Sequence, residues 1–459
     1  MRRMTLPLAI VVAGILLIGC ARTPAITPEP LSDDALESRA RSFVACMAEG
    51  KHRDAVEMMD SRMASALPQD RLESTWDTLV SQVGAFKEMT GVRLATESGY
   101  RVAYVTCVFE FAAVDTKVVF DVEGRVTGLW FGPPKVTTVE YKDPSYWVAD
   151  SFAEISVEVG EEPWVLPATL TIPVGEGPFP AVILVHGSGP HDRDETIGPN
   201  KPFRDLAGGL ACNGIAVLRY EKRTSHYAQA LVGEIDGFTV DEEVVDDAVA
   251  AIAYLRQVER VDPDRIFVLG HSLGASLAPR IAETALRTTE EYPAGLIMMA
   301  PYARPLTDLV LEQCEYLVGL DGQISAEEAA QLEQVRADVT KIKEGSLQPG
   351  ELVLGACKAY WDDLLAYDPV AAGRSLGLPM LILQGERDYQ VTMEDFAIWQ
   401  AELKGAAHAT LTSLPGLNHL FMFGEGKPSP DEYNEPGDVD QVVISTIAEW
   451  VKSIPSSSR

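Results

Sequence analysis

The pentapeptide Gly270-His271-Ser272-Leu273-Gly274 is the segment of this chain best suited to covalent chemistry. It follows the run Arg265-Ile266-Phe267-Val268-Leu269 and precedes a helical pattern, so a strand, a sharp turn and a helix carry the serine. Glycines on both sides lack the Cβ that would block a tight reversal and close packing of helix on strand. Ser272 is therefore expected at a helix N-terminus, where the dipole and unpaired amides favour developing negative charge. A serine hydroxyl is a poor nucleophile alone. It needs a histidine base and a carboxylate to orient that base.

Two later loops offer both. Pro379 to Gly385 reads as a strand and is followed by Glu386-Arg387-Asp388. Thr410 to Leu414 reads as another and leads to Pro415-Gly416-Leu417-Asn418-His419. Both loops fall at strand C-terminal ends, in the order serine, carboxylate, histidine. Asp388 is the expected carboxylate, with Glu386 as the alternative, and His419 the expected base. A tetrahedral intermediate also needs donors for its oxyanion. These are expected from the backbone N–H of Leu273 and of Ser188, the latter in His186-Gly187-Ser188-Gly189, with Gly189 able to substitute. His271 and His186 are read as packing residues.

The acidic run His191-Asp192-Arg193-Asp194-Glu195 is read as charge pairing with Glu221-Lys222-Arg223 rather than as a metal site, and no metal or cofactor is expected. The other cysteines, Cys46, Cys107, Cys212, Cys314 and Cys357, match no zinc spacing, and no disulfide is expected.

The elements that must position these residues are legible as apolar runs. Strands are expected at Ile155–Val159, Ala168–Ile172, Ala181–Val185, Ile215–Arg219, Ile266–Leu269, Leu296–Met299, Met380–Leu383 and Thr410–Leu414. The later ones are continuous Val, Ile and Leu, as in parallel strands covered on both faces. Helices alternate with them at Lys201–Cys212, Asp241–Val258, Ser272–Ala285, Met393–Leu403 and Val439–Val451. In Asp241–Val258 the apolar Val244, Ala248, Ala251, Ile252, Leu255 and Val258 form one stripe. The alternation implies an α/β fold with a doubly wound, mostly parallel eight-stranded sheet. One insertion, 301–378, exceeds any crossover. Its Ser325-Ala326-Glu327-Glu328 is a capping box, and a helical cap is expected, with Tyr360, Trp361 and Tyr367 as candidate pocket aromatics or plain packing residues.

Upstream, residues 32–135 read as a small α+β unit: helices at Leu36–Glu49, Asp54–Ser65 and Arg71–Val83, then β runs at Phe86–Thr96, Tyr100–Ala112 and Lys117–Phe131, broken at Asp115 and Glu123-Gly124. His52 is read as a solvated surface residue. Residues 136–151 are a linker, and 152–459 the sheet-based domain. At the N-terminus, Arg2 and Arg3 precede an apolar run to Ile18, too short to span a bilayer comfortably but suited to a signal peptide of residues 1–19. Leu17-Ile18-Gly19-Cys20 resembles a bacterial lipobox, which implies acylation (palmitate) of Cys20, a Pro-rich tether over 20–31 and a chain held at the cell envelope. With 38 basic against 68 acidic residues, a net charge of −30 at pH 7, nucleic acid is a poor partner. The number of subunits is not legible.

From Phe152 to Val451 the chain resembles bacterial α/β-hydrolases of the esterase and serine-aminopeptidase-like kind. The resemblance rests on His186–Gly189, Leu218-Arg219-Tyr220-Glu221-Lys222-Arg223-Thr224, Gly270–Gly274, Gln384–Asp388 and Asn418-His419. The upstream unit resembles the nuclear-transport-factor-2-like domain of unknown function that often precedes such hydrolases. These resemblances imply acyl transfer from a small carboxylic ester to water through an acyl-enzyme, without a cofactor. An aminopeptidase or dipeptidyl-peptidase-like amidase, whose peptide substrate's amino terminus Asp192, Asp194, Glu195, Asp362 or Asp363 would hold, is the second reading. An envelope-binding lipoprotein without activity is the third.

Overall fold

Among the described residues each of two units, which divide between Thr137 and Thr138, has its own main hydrophobic core. The computed structural model describes residues 32–97, 100–109, 113–132, 141–231, 237–289 and 292–456. The expected signal peptide, Cys20 and tether lie outside these residues, as does the first part of the expected linker.

The first unit opens with helices α1 (Asp33–Ala48), α2 (His52–Glu57), α3 (Ser61–Ala66) and α4 (Gln69–Val83). Strands β1 (Phe86–Glu97), β2 (Tyr100–Phe109), β3 (Ala113–Phe120) and β4 (Val126–Gly132) follow as an antiparallel sheet in sequence order. The segment expected as one helix over Asp54–Ser65 is two, and Asp60 is the reason. Its carboxylate accepts from Met63 N at 2.7 Å, starting α3, while its own N–H donates to Val126 O at 2.9 Å. That bond and Val126 N to Met58 O, also 2.9 Å, fasten the break to β4. Asp115, expected at a break, lies inside β3, where Thr106 Oγ1 donates to its carboxylate at 2.6 Å. His52 is buried rather than solvated, since the first turn of α2 faces α1 and α4.

The second unit holds all eight expected strands: β5 (Phe152–Val159), β6 (Leu166–Pro173), β7 (Phe179–Val185), β8 (Ala216–Tyr220), β9 (Val261–His271), β10 (Gly295–Met299), β11 (Met380–Gly385) and β12 (Ala409–Leu414). Their order across the sheet is β12-β11-β10-β9-β7-β8-β6-β5. Only the β5–β6 and β6–β8 pairs are antiparallel. The chain leaves β7 toward β8 on one side and later returns to β9 on the other. That reversal is the topological switch point, where the crevice beyond the strand ends is the expected ligand site.

Helices cover both faces of this sheet. After β7 comes α5 (Pro202–Cys212); after β8, two short helices, α6 (Arg223–His226) and α7 (Ala228–Leu231), that the apolar pattern does not reveal. The expected helix over Asp241–Val258 begins as a π-helical turn, Asp241–Val245, and continues as α8 (Asp246–Leu255). Helix α9 (Leu273–Thr289) follows β9 and carries a buried stripe of Leu277, Ala278, Ile281 and Ala282 against the sheet.

Between β10 and β11 lie α10 (Leu306–Val318), α11 (Ala326–Lys343), α12 (Lys358–Ala366) and α13 (Pro369–Leu376). The capping box at α11 forms as read: Glu328 N donates to Ser325 Oγ at 3.2 Å and Ser325 N to Glu328 Oε2 at 2.7 Å. Helix α13 lies against α9, and its Gly373 fits beneath the Trp399 ring of α14 (Met393–Glu402), so it is the crossover helix of the sheet. The chain ends on α15 (Gln441–Ser453), whose Asp440 cap accepts from Val442 N at 2.8 Å.

Candidate active site

Strand β9 ends at His271 and α9 starts at Leu273, so Ser272 alone makes the turn between them. Its φ is +53°, a left-handed conformation that a residue with a Cβ adopts at a cost of about 1–3 kcal/mol. The surroundings impose it. Ser272 N–H donates to Met299 O at 2.9 Å, and Ser276 N–H to Ser272 O at 3.0 Å. The flanking glycines are sterically required. A Cβ on Gly270 would sit 2.2 Å from Gly274 O, and one on Gly274 2.4 Å from Val185 O. The start of α9 is thus pressed onto the end of β7.

The loop leaving β7 runs beside the serine, for a Cβ on Gly187 would lie 3.3 Å from Ser272 Cβ. Neither Leu273 N–H, in the first turn of α9, nor Ser188 N–H has a hydrogen-bond partner among the described residues. The loop's other polar groups are held. Gly187 N–H donates to Glu195 Oε1 at 2.7 Å, and Lys222 Nζ donates to Gly187 O at 2.7 Å and Gly189 O at 2.9 Å. His186 is buried against Phe203 and Tyr220, with Nε2 on Asp192 O at 3.0 Å. Burial pushes it down to about 3, so the ring is neutral and structural.

Beyond β11 and β12 the two remaining residues meet. His419 Nδ1 lies 2.6 Å from Asp388 Oδ2. The carboxylate is fully engaged, Oδ1 accepting from Gln390 N at 2.8 Å and Val391 N at 3.0 Å, and Oδ2 also from Gln384 Nε2 at 3.2 Å. Because Asp388 accepts at Nδ1–H, the basic nitrogen of His419 is Nε2, which has no partner among the described residues. Ser272 Oγ forms no hydrogen bond there either, and such contacts often tighten only when substrate is bound. Glu386, the alternative carboxylate, is turned away and accepts from Ser413 Oγ at 2.8 Å.

The two loops are locked together. A Cβ on Gly385 would lie 2.6 Å from Leu417 O, and Arg387 N donates to that oxygen at 2.9 Å. Asn418 Oδ1 accepts from Leu420 N at 3.0 Å and Met422 N at 3.2 Å, shaping the histidine turn.

His271 does more than pack. Its Nδ1 is 2.9 Å from Glu195 Oε2 and its Nε2 3.0 Å from His419 O. Both partners are acceptors, so both ring nitrogens donate and the ring is an imidazolium. Burial pushes its pKa down, but the charge and hydrogen bond of Glu195 outweigh that and leave it raised. Burial likewise pushes Glu195 up, yet the His271 cation holds it below the usual carboxylate range. One buried ion pair therefore ties the Gly187 loop to the His419 loop beneath Ser272.

The acidic run is consumed internally. Arg193 Nε pairs with Glu221 at 2.7 Å, Asp194 with Arg219 at 2.9 Å and Lys201 at 2.8 Å, and Asp192 accepts from Asp194 N and Thr196 N. In the cap, Asp363 pairs with Arg280 at 2.9 Å and Asp362 with Lys358 at 2.7 Å. The three aromatics proposed for a pocket each have a polar anchor: Tyr360 OH on Glu243 (2.6 Å), Trp361 Nε1 on Val353 O (2.9 Å) and Tyr367 OH on Ser276 O (3.3 Å). Trp361 and Tyr360 pack into the core, while Tyr367 also lines a cavity with Arg280 and Asp363. No cluster of histidine, cysteine and carboxylate side chains that could hold a metal occurs among the described residues. The cysteines Cys46, Cys107, Cys212, Cys314 and Cys357 are free thiols.

Lys222, Gln384 and Asn418 stand in blocks that carry the family resemblance, yet those blocks assign them no role, and Glu195 is read there only as a charge-pairing or substrate-holding carboxylate. Lys222 and Glu195 stand in charged runs that look solvated, and only the three-dimensional closeness of their loops to Gly187 gives them a site role.

A family model described as the alpha/beta hydrolase family matches residues 182–435, and one for a protein of unknown function (DUF3887) matches residues 40–129. Esterase EstD of Thermotoga maritima is 40% identical over 419 residues, covering 91% of this chain and 95% of that protein. Among solved structures, a Pyrobaculum calidifontis esterase aligns at 17% identity and a TM-score of 0.43, covering 66% of this chain and 87% of its own. Est1E from Butyrivibrio proteoclasticus aligns at 16% identity and a TM-score of 0.40, covering 65% and 99%.

Proposed function

Since the chain belongs to the alpha/beta hydrolase family, we propose that it is a serine carboxylesterase in which Ser272, His419 and Asp388 form the catalytic triad. The observation that carries this reading is the 2.6 Å contact between His419 Nδ1 and Asp388, with Nε2 left open on the edge of the sheet where Ser272 turns. The esterase relative, similar over 95% of its own length, supports an ester as substrate.

Ser272 Oγ attacks the ester carbonyl while His419 Nε2 takes its proton. The carbonyl oxygen becomes an oxyanion held by the N–H groups of Leu273 and Ser188. Collapse breaks the bond to the alcohol, which leaves with the proton from His419. Water then attacks the acyl-serine by the same route, returning the carboxylic acid and free Ser272. Asp388 fixes the imidazole tautomer and stabilises the imidazolium that forms at each transfer.

The peptidase reading is weakened by the pairing of Asp194 with Arg219, Glu195 with His271 and Asp363 with Arg280, which engages three of the five carboxylates expected to hold a substrate amino terminus. Steady-state turnover of short p-nitrophenyl esters beside aminoacyl-p-nitroanilides tests the choice. Esters should turn over with the larger kcat/KM and Ser272→Ala should abolish it. Faster anilide turnover would sink the proposal.

The motif Leu17-Ile18-Gly19-Cys20 supports a second part of the reading: acylation at Cys20 and anchoring to the bacterial envelope. Radiolabelled palmitate should enter the wild type and not Cys20→Ala, and soluble, unlabelled wild type would refute it. Helices preceding an antiparallel sheet support the nuclear-transport-factor-2-like reading of the first unit.

A further inference from the structure

Lys222 is nearly inaccessible, with a relative exposure of 1%, and lies between Glu221, which pairs with Arg193, and Arg223, which pairs with Asp247 of α8. Lysine is almost never buried without partners. This one has three, all close: Gly187 O at 2.7 Å, Gly189 O at 2.9 Å and Glu243 Oε1 at 2.5 Å. Glu243 is itself buried, on the π-helical turn Asp241–Val245, and its second oxygen accepts from Tyr360 OH at 2.6 Å. The ammonium is thus fixed from one side by a carboxylate and spends its remaining donors on two carbonyls of one loop.

The Gly187 carbonyl belongs to the same peptide group as the Ser188 N–H. A cation on that oxygen draws electron density through the amide and makes the N–H a stronger donor, as linked hydrogen bonds polarise one another in a low-dielectric interior. It also places a positive charge behind the N–H, on the side away from the substrate. Gripping Gly189 O as well fixes the loop on both sides of Ser188, so the donor is aimed before substrate arrives. A neutral amide side chain would suffice to hold a loop; an ammonium with its own buried counter-ion adds field.

We propose that Lys222 is a positioning residue of the oxyanion hole, which orients and polarises the Ser188 N–H by binding the carbonyls of Gly187 and Gly189. This rests on the esterase reading above, and its effect belongs to the transition state. The substrate carbonyl needs little from that N–H, whereas the tetrahedral oxyanion needs it fully.

Two variants of the full chain test it, Lys222→Met and the double variant Lys222→Met/Glu243→Gln, the second leaving no unpaired buried carboxylate. Each is measured for kcat and KM on a p-nitrophenyl ester, for the dissociation constant of a trifluoromethyl ketone that forms a tetrahedral adduct, and for thermal unfolding. Deleting a direct oxyanion donor costs about 10²–10³ in kcat, and an indirect one should cost about 30-fold, with KM within about threefold. Ketone affinity should fall by the same factor as kcat/KM. Retention of kcat within about threefold in a folded variant overturns the proposal, as does a fall in kcat with ketone affinity unchanged. So does unfolding of both variants, which would make Lys222 a residue of stability. If the wild type neither cleaves the ester nor binds the ketone, the esterase reading itself has failed.

Discussion

At the scale of single residues the account turns on which groups are already satisfied. Asp388 has every lone pair spoken for, and Glu386 none toward His419. Asp388→Asn should therefore lower kcat by about 10⁴ by favouring the wrong imidazole tautomer, with unfolding unchanged, whereas Glu386→Gln should stay within about threefold. Steady-state kinetics on both variants decides between the carboxylates; a loss under tenfold for Asp388→Asn would move the role elsewhere. The Glu195–His271 pair sets a pH window. The raised pKa of His271 gives stability that is complete below its unfolded value of about 6.5 and lost as pH rises through the folded one. The depressed pKa of Glu195 gives stability present above about 4.3 and lost as pH falls through its folded value. The wild-type melting temperature should then decline as pH rises above about 6.5, and His271→Gln should flatten that decline. A variant with the wild-type slope would show that the pair does not titrate there. Ser272, Asp388 and His419 were legible because a motif and two strand-end loops carry them. His271 was not, because adjacency to the serine says nothing about a carboxylate 76 positions earlier in the chain.

At the scale of elements, close approach matters more than propensity. The apolar runs placed all eight strands of the large sheet, most clearly β7 to β11, where parallel strands buried on both faces are apolar almost throughout. Short helices without a stripe, α6 and α7, left no such mark, and the break between α2 and α3 comes from the polar contacts of Asp60 with β4. Where α9 meets β7 no space remains for a methyl group. Gly274→Ala would set its Cβ 2.4 Å from Val185 O and 2.6 Å from His186 O, pushing the helix start away from the loop that carries Ser188. Such overpacking costs about 1–3 kcal/mol, so the melting temperature and kcat should fall together. Wild-type values for both would mean the contact relaxes freely. On α11, an exposed cap helix, Ser325→Ala should remove one half of the capping box, lowering stability by about 1 kcal/mol with kcat unaltered.

At the scale of the whole molecule, two separate cores predict two unfolding events. Calorimetry should resolve two transitions. Acylation of Ser272 by a covalent inhibitor should raise only that of the second unit, because only what binds the native state shifts its equilibrium. A single transition displaced as a whole would instead show the two units unfolding as one. The formal net charge of −30 at pH 7 says nothing of which ester is cleaved.

All of this stands on Ser272 being a nucleophile activated by His419. The direct measurement is intact-mass and peptide mapping after reaction with a fluorophosphonate probe, on the wild type, Ser272→Ala and His419→Ala. One adduct per wild-type chain, located on the peptide containing Ser272, is the predicted result, with none on Ser272→Ala and strongly slowed labelling of His419→Ala. An adduct of equal yield on Ser272→Ala, or no adduct on the wild type, would contradict the account.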